Sequence, residues 1–315
     1  MRANLWNLWR FFIWSDLIMI INGVEIEDTF AEAFGMWGAR VVITAVNRKW
    51  AHEAANKMTG FATSVIGCGC EAGIEGDLDQ TPDGRPGVSV LVFAYTRDKL
   101  TTALTDRVGQ CVLTCPTTAC FNGLPAAEKI PVGGQLRFFG DTYQISKVID
   151  GRRYWRIPVM EGEFLIEDKF GVQRAVGGGN MLILGKDSQS TLKAAELAVE
   201  AIRRIPGVIL PFPGGMVRSG SKVGSNYKFL RASTNDAFCP SLRGLVATAL
   251  PEGVNSVMEI VIDGLEANAV EQATREGILA ACVPGIARIS AGNYGGNLGK
   301  FKFYLHKILN EAPPV

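Results

Sequence analysis

The sequence predicts an α+β protein with two lobes of similar ferredoxin-like α/β sandwich, each built from two strand–helix–strand units. Three observations carry that expectation. The first half of the chain repeats itself: Arg48 falls on Arg97, Ala54 on Ala103 and Gly60 on Gly109, a constant shift of 49. The second half repeats at an ungapped shift of 78, which lays Gly214 on Gly292 and Lys222 on Lys300. A chain of 315 residues also exceeds what one small core accommodates, so two domains follow from size.

The elements follow in order. VVITAV (Val41 to Val46) reads as a buried strand, Arg48 to Met58 as a helix with Gly60 after it, and the apolar run Phe61 to Ile66 as the next strand. The second copy gives a strand at Val90 to Tyr95, a helix at Asp98 to Arg107 stopped by Gly109, and a strand at Cys111 to Cys115. In the second half Met181 to Leu184 is a strand and Ser190 an expected N-cap. Leu192, Ala195, Val199 and Ile202 mark one helical face, and Pro206-Gly207 ends it. The last copy runs from Glu259 to Ile262, through Val270, Ala273, Gly277 and Ala280, to Pro284-Gly285.

The polar stretch DGRRYWRIP (Asp150 to Pro158) is the expected boundary. It divides a proximal, N-terminal lobe (19–157) from a distal, C-terminal lobe (158–315). Residues 1–18 carry three of the six Trp, yet Arg10 and Asp16 interrupt their apolar run. They read as neither a spanning helix nor a signal peptide but as an extension ahead of Met19, outside the fold.

Composition narrows the function. Lys+Arg number 32 against 31 Asp+Glu, a balance that gives no support for nucleic-acid or membrane-surface binding. An odd count of seven dispersed Cys argues against a secreted disulfide framework and for a reducing cytoplasm. Neither Cys68-x-Cys70 nor Cys111, Cys115 and Cys120 gives paired tetrahedral metal sets. With only His52 and His306 in the chain, a His-activated Cys or Ser nucleophile is poorly supported. Gly215-x4-Gly220 is followed by Ser221-Lys222 rather than Lys-Ser/Thr, so it is not a phosphate loop. Gly177-Gly178-Gly179 leads into a strand and is not a dinucleotide fingerprint.

Five loops rich in Gly, Ser and Asn fall after strands: Thr81–Gly87, Pro211–Gly215, Ser219–Ser225, Ala232–Pro240 and Ser290–Gly296. Any one alone reads as an ordinary turn. Together they suggest donors converging on a polar ligand. Arg85, Gly214, Gly215, Ser219, Ser221, Lys222, Ser233, Asn235 and Asn293 are the candidate substrate-binding residues. One residue breaks the repeat. Where the first copy has Met181, the second has Glu259. Either this carboxyl is desolvated and held as a proton donor, or its strand is a sheet edge and the side chain meets water.

INGVEIEDTFAEAF (Ile21 to Phe34), CEAGIE (Cys70 to Glu75), TPDGRPG, RVGQCVLTCPTTACFNGLP, PVMEGEFLIED, PFPGG, SKVGS, ASTNDAFCP, MEIVIDGL and ISAGNYGGNLGK are long, uncommon strings. From Ile20 to Leu309 the chain resembles the formylmethanofuran:tetrahydromethanopterin formyltransferase family. The resemblance implies a two-lobed subunit in a homotetramer, with no metal and no prosthetic group. Formylmethanofuran and tetrahydromethanopterin, or a related reduced pterin, are then substrates of a direct transfer. The family's buried catalytic Glu falls on Glu259. Gly69-Cys70 departs from the Pro-Ala expected there, LRGLVATALPEG from the expected linker, and the balanced charge from acidic members. A non-catalytic carrier-binding or scaffold subunit of a formyl-processing complex is the alternative.

Overall fold

The computed structural model describes residues 18–310; the expected extension falls almost entirely outside the described residues. The chain runs β1 (Met19–Ile21), β2 (Val24–Ile26), β3 (Phe30–Thr44), α1 (Arg48–Thr59), β4 (Glu71–Leu78), β5 (Gly87–Ala94), α2 (Arg97–Arg107) and β6 (Ala119–Asn122). It continues through β7 (Ile145–Ile149), β8 (Arg152–Val159), β9 (Gly162–Glu167), β10 (Gln173–Gly185), α3 (Ser188–Ile202) and β11 (Val208–Ile209). It closes with β12 (Ser256–Gly264), α4 (Ala267–Ala281), β13 (Ile286–Ser290), β14 (Phe301–Tyr304) and α5 (Leu305–Asn310).

Each lobe has the expected order of two interleaved strand–helix–strand units. In the first lobe β4 pairs with β5, β5 with β3, and β3 with β6, all antiparallel. In the second, β11 pairs with β12, β12 with β10, and β10 with β13. The lobes are fused where Gln173–Gly177 of β10 pairs with Phe34–Gly38 of β3. One sheet of 14 strands therefore runs through both among the described residues.

A division at 157/158 does not respect this sheet, because that peptide lies inside β8. Ile157, Phe164, Ile166 and Phe170 pack in the first lobe's core, and β9 pairs with β6. Conversely, Val24, Ile26, Ala31 and Ala33 sit in the second lobe's core, with β2 paired to β13. The two halves exchange segments because each completes the other's apolar face.

The helices begin where local chemistry dictates. Asn47 and Thr96 cap α1 and α2 by accepting the N–H of Trp50 and Lys99. At α3 the cap is Asp187, not Ser190; the carboxylate takes the Ser190 N–H at 2.8 Å. Both strands expected directly after the first-lobe helices are displaced. Phe61 has φ +52, its carbonyl and that of Gly60 accept from the Arg107 guanidinium, and Ser64 caps a short helix over Val65–Cys68. Gly109 does not stop α2. A wider π-type turn continues over Val108–Val112, closed by the Leu113 N–H on the Val108 carbonyl at 2.9 Å. The true second strands are β4 and β6. In both places cap and carbonyl bonding outweighed an apolar run as short as five or six residues.

The second-lobe repeat also needs a corrected frame. α3 and α4 begin at 188 and 267 and end at 202 and 281, a shift of 79 rather than 78. Met181 is paired with Ile260 and Leu182 with Glu259, and directly opposed residues share a face. Met181, Ile183, Ile260 and Ile262 pack with Ala194, Ala198 and Val270 of the helices. Glu259 lies on the opposite face, beside Asn180 and Leu182. Because side chains alternate, a slip of one residue exchanges faces. The fold does not ask for an apolar group at Glu259; it aims that position away from the helical core.

Candidate active site between the lobes

That opposite face floors a cleft of about 650 Å³. Glu259 lines it. The strand carrying it is not an edge: β12 has β10 on one side, and on the other Val217 exchanges both backbone hydrogen bonds with Glu259 at 2.7 and 2.9 Å. The backbone under the carboxyl is thus held from two directions.

The side chain is held as firmly. Asn180 on β10 accepts the Gly292 N–H through Oδ1 at 2.9 Å. Its Nδ2 is left to donate to Glu259 Oε1 at 2.8 Å. The second oxygen faces Gly220, where a Cβ would stand 3.1 Å from Oε2; a glycine there leaves the carboxyl room beside the loop. Burial pushes the Glu259 carboxyl above its ordinary range, with the Asn180 donor moderating the rise. The result is a largely desolvated acid with one fixed donor and one oxygen free to meet a ligand.

The SAGNYGG loop is organised by a residue the sequence reading did not single out. Glu32 on β3 is 1% exposed. Its Oε2 accepts the N–H groups of Tyr294 and Gly296 at 2.6 and 2.9 Å, and Oε1 those of Leu298 and Gly299 at 2.6 and 2.5 Å. Desolvation alone would raise its pKa; the four donors outweigh it and hold the carboxyl below the usual range. This nest positions Asn293 and Tyr294 at the cleft. Asn293 also donates to Thr29 Oγ1 and the Phe30 carbonyl.

Ser219, Ser221, Lys222, Asn235 and Asn293 line the same cleft as Glu259. Lys222 is ion-paired with Asp236 on a hairpin that pairs Ser221–Val223 with Ala232–Thr234. Arg85, Gly214, Gly215 and Ser233 do not line this cleft. Arg85 spends its donors on Asp83, Thr44 and the Thr117 carbonyl. Gly214 is a left-handed turn residue on a separate groove. Gly215 is buried against Val199 and Leu210. Ser233 donates to the Gly224 carbonyl within the hairpin.

Among the described residues no group of three or more His, Cys, Asp or Glu is placed to hold a metal ion. Both His are engaged away from the cleft, His52 with Asp77 and His306 with the Ile26 carbonyl. All seven Cys are unpaired by disulfides. Further acids do line the cleft: Glu27, Glu32 and Glu71. Their only sequence signal is a carboxylate within or beside an apolar strand: Glu32 interrupts β3, Glu71 opens β4 and Glu27 follows β2.

Known proteins agree with this architecture. Residues 19–159 match the family model described as formylmethanofuran-tetrahydromethanopterin formyltransferase, and 162–308 match one described as its proximal lobe. The word proximal thus belongs to the C-terminal half, the reverse of the expected naming. A formylmethanofuran–tetrahydromethanopterin formyltransferase of Methylococcus capsulatus is 62% identical over 297 residues, covering 92% of this chain and 100% of the relative. A component of the formyltransferase/hydrolase complex of Methylorubrum extorquens is 52% identical, covering 92% and 97%. The Methanosarcina barkeri formyltransferase structure superposes with a TM-score of 0.88 at 51% identity, covering 92% of this chain and 100% of that one. A chain of the Methylorubrum extorquens formyltransferase/hydrolase complex, solved with methylofuran, gives 0.91 at 52% identity, covering 94% and 100%. This chain belongs to the formylmethanofuran–tetrahydromethanopterin formyltransferase family.

Proposed function

We propose that this protein transfers a formyl group between formylmethanofuran and tetrahydromethanopterin, or related carriers, directly within a ternary complex. The observation that carries this reading is Glu259, a desolvated carboxyl fixed by Asn180 with one oxygen free in the cleft.

The chemistry is proton-neutral. The pterin ring nitrogen attacks the formyl carbon, and the C=O electron pair moves onto oxygen. Collapse of that oxyanion breaks the carbon–nitrogen bond to the leaving amine. The attacking nitrogen sheds one proton and the leaving amine takes one. A protonated Glu259 hydrogen-bonds the oxyanion or gives its proton to the amine, and recovers one from the attacking nitrogen. Holding both carriers in one cleft supplies proximity, on the order of 7–11 kcal/mol. Neither a covalent enzyme intermediate nor a tightly bound cofactor is required.

The protein acts in the cytoplasm, as a homotetramer or within an assembly that includes other formylmethanofuran-processing subunits. The similarity to a component of a formyltransferase/hydrolase complex supports the second arrangement. No helix among the described residues is long and apolar enough to cross a membrane. The test is the purified protein mixed with both carriers, with the formylated pterin followed by chromatography. Saturable formation of that product is expected. Binding of both carriers without transfer would leave a carrier-binding subunit instead.

A further inference from the structure

A second acid pair lies at the lobe junction, outside the chemistry assigned to Glu259. Glu71 opens β4 in the first lobe and is 7% exposed; Asp263 lies near the end of β12 in the second and is 0% exposed. Asp263 stands four residues after Glu259 on the same strand, hence on the same face. Around the junction pack Met36, Val65, Phe93, Ala175, Ile209 and Leu265.

Each carboxyl has one oxygen satisfied by backbone. Glu71 Oε1 accepts the Val65 N–H at 3.0 Å. Asp263 Oδ1 accepts the Gly178 N–H at 2.8 Å. Gly178 presents that N–H because it sits in an irregularity of β10 with φ +77, a conformation few other residues adopt. The remaining oxygens, Glu71 Oε2 and Asp263 Oδ2, are buried and meet no N–H or O–H donor of another residue. The two carboxyls act on each other across the junction, and their outer oxygens are left without a partner. Two ionised carboxylates have only acceptors to offer one another, whereas one proton between them supplies the missing donor.

We propose that Glu71 and Asp263 share a single proton across the lobe junction and act as a positioning pair, latching the Ser64–Ile66 wall of the cleft to its Gly177–Gly178 floor. Ser64, Val65, Ile66, Gly177 and Gly178 all line the cleft, and the two backbone donors come from that wall and that floor. The titratable groups facing the pair are Tyr95, itself near Tyr294, and Cys70, which precedes Glu71. Among the described residues no cation acts on either carboxyl. With the proton in place both oxygens are satisfied. Without it two buried charges oppose each other, and the wall separates from the floor. Burial pushes both carboxyls up, Asp263 well above its ordinary value. The folded protein therefore retains the proton at pH values where the unfolded chain has lost it. The latch is intact below the pair's own titration and fails as pH rises through it.

The consequence for catalysis rests on the formyl-transfer reading above; the proton itself does not. The experiment uses the full-length protein with Glu and Asp carboxyls labelled with carbon-13. Infrared spectra of wild type, Glu259→Gln, Asp263→Asn and Glu71→Gln are recorded against pH, beside steady-state kinetics. A protonated-carboxyl band should persist in Glu259→Gln, and its remaining intensity should disappear at high pH. A wild-type protein with no such band beyond that of Glu259 overturns the pair, whatever its activity. In Asp263→Asn and Glu71→Gln a permanent N–H replaces the shared proton, so the alkaline rise in KM should vanish. In wild type that rise should approach tenfold per pH unit for one proton. An alkaline KM rise that survives in both amide variants also overturns the proposal. If either amide variant fails to fold, the other and the wild-type spectrum still decide. If no transfer occurs at all, the formyl-transfer reading fails while the infrared test of the pair stands.

Discussion

Replacing Glu259 by Gln removes the proton and keeps nearly everything else. The introduced amide would still offer an oxygen to the Asn180 Nδ2 donor now 2.8 Å from Oε1, and the backbone pairing to Val217 and Leu182 is untouched. Its nitrogen would point past Gly220, where there is no Cβ to obstruct it. Binding should change little, because the free oxygen is replaced by a donor of the same size. What is lost is proton transfer to the leaving amine, typically worth roughly 10²–10⁴ in rate, or about 2.7–5.4 kcal/mol of barrier. The effect should fall on kcat, with KM for both carriers within about threefold of wild type. Stability supplies an independent check. A carboxyl whose folded pKa is raised binds its proton more tightly in the native state. Below the ordinary carboxyl value both states are protonated and the side chain has no linkage cost. As pH rises from there through the folded value, the unfolded chain ionises first and native stability falls. The Gln variant lacks that loss, so its thermal midpoint should equal or exceed wild type, by a margin that grows as pH rises from the ordinary carboxyl value toward the folded one. Steady-state kinetics with both carriers and calorimetry at several pH values make the measurement. Wild-type turnover in Glu259→Gln refutes acid catalysis. Full activity in Glu259→Met as well removes any chemical role for this side chain.

Four other outcomes follow from the same geometry. Asn180→Ala leaves the Gly292 N–H without its acceptor and Glu259 without its donor; a stability loss of roughly 1–3 kcal/mol and a fall in kcat of about tenfold or more should appear together in denaturant melts and kinetics. Glu32→Gln turns an amide NH₂ toward backbone donors, costing about 1–3 kcal/mol for each group left unpaired. Because Glu32 is held below its ordinary range, the stability it contributes is present above that range and lost as pH falls through its folded value, so acid melts of the variant and wild type should converge. Single Cys→Ala or Cys→Ser changes at Cys68, Cys70, Cys111, Cys115, Cys120, Cys239 and Cys282 should not abolish turnover; Cys282 is pushed up to about 11 by burial, a poor nucleophile, and trapping of a formyl-cysteine by mass spectrometry would refute direct transfer. Exhaustive chelation should leave turnover intact, and loss rescued by zinc would overturn the metal-free mechanism.

Local chemistry and periodicity made much of this protein legible in its sequence. The shift of 49 in the first half recurs in the structure: α1 begins at 48 and α2 at 97. The mixed α/β two-lobe layout, the helices α1 to α4 of the repeats and the loops carrying Ser219, Ser221, Lys222, Asn235 and Asn293 could all be named from the chain alone, because side-chain period and turn residues are local properties. Facing could not. The ungapped repeat laid Glu259 on the core-facing Met181, and only the pairing of Leu182 with Glu259 revealed that the carboxyl looks into the cleft. A strand's two faces differ by one residue, and an insertion of one residue between repeats is invisible to composition. Nor could the sequence show that Arg85 and Ser233 are consumed by neighbouring carbonyls and side chains, or that residues before Phe34 and after Ile157 cross to the opposite lobe. The buried acids were the least legible. Glu32, Glu71 and Asp263 acquire their character from partners 262 residues away at Tyr294, six at Val65 and 85 at Gly178. A carboxyl's protonation depends on the dielectric and donors that packing brings to it, and those are set by the tertiary fold alone.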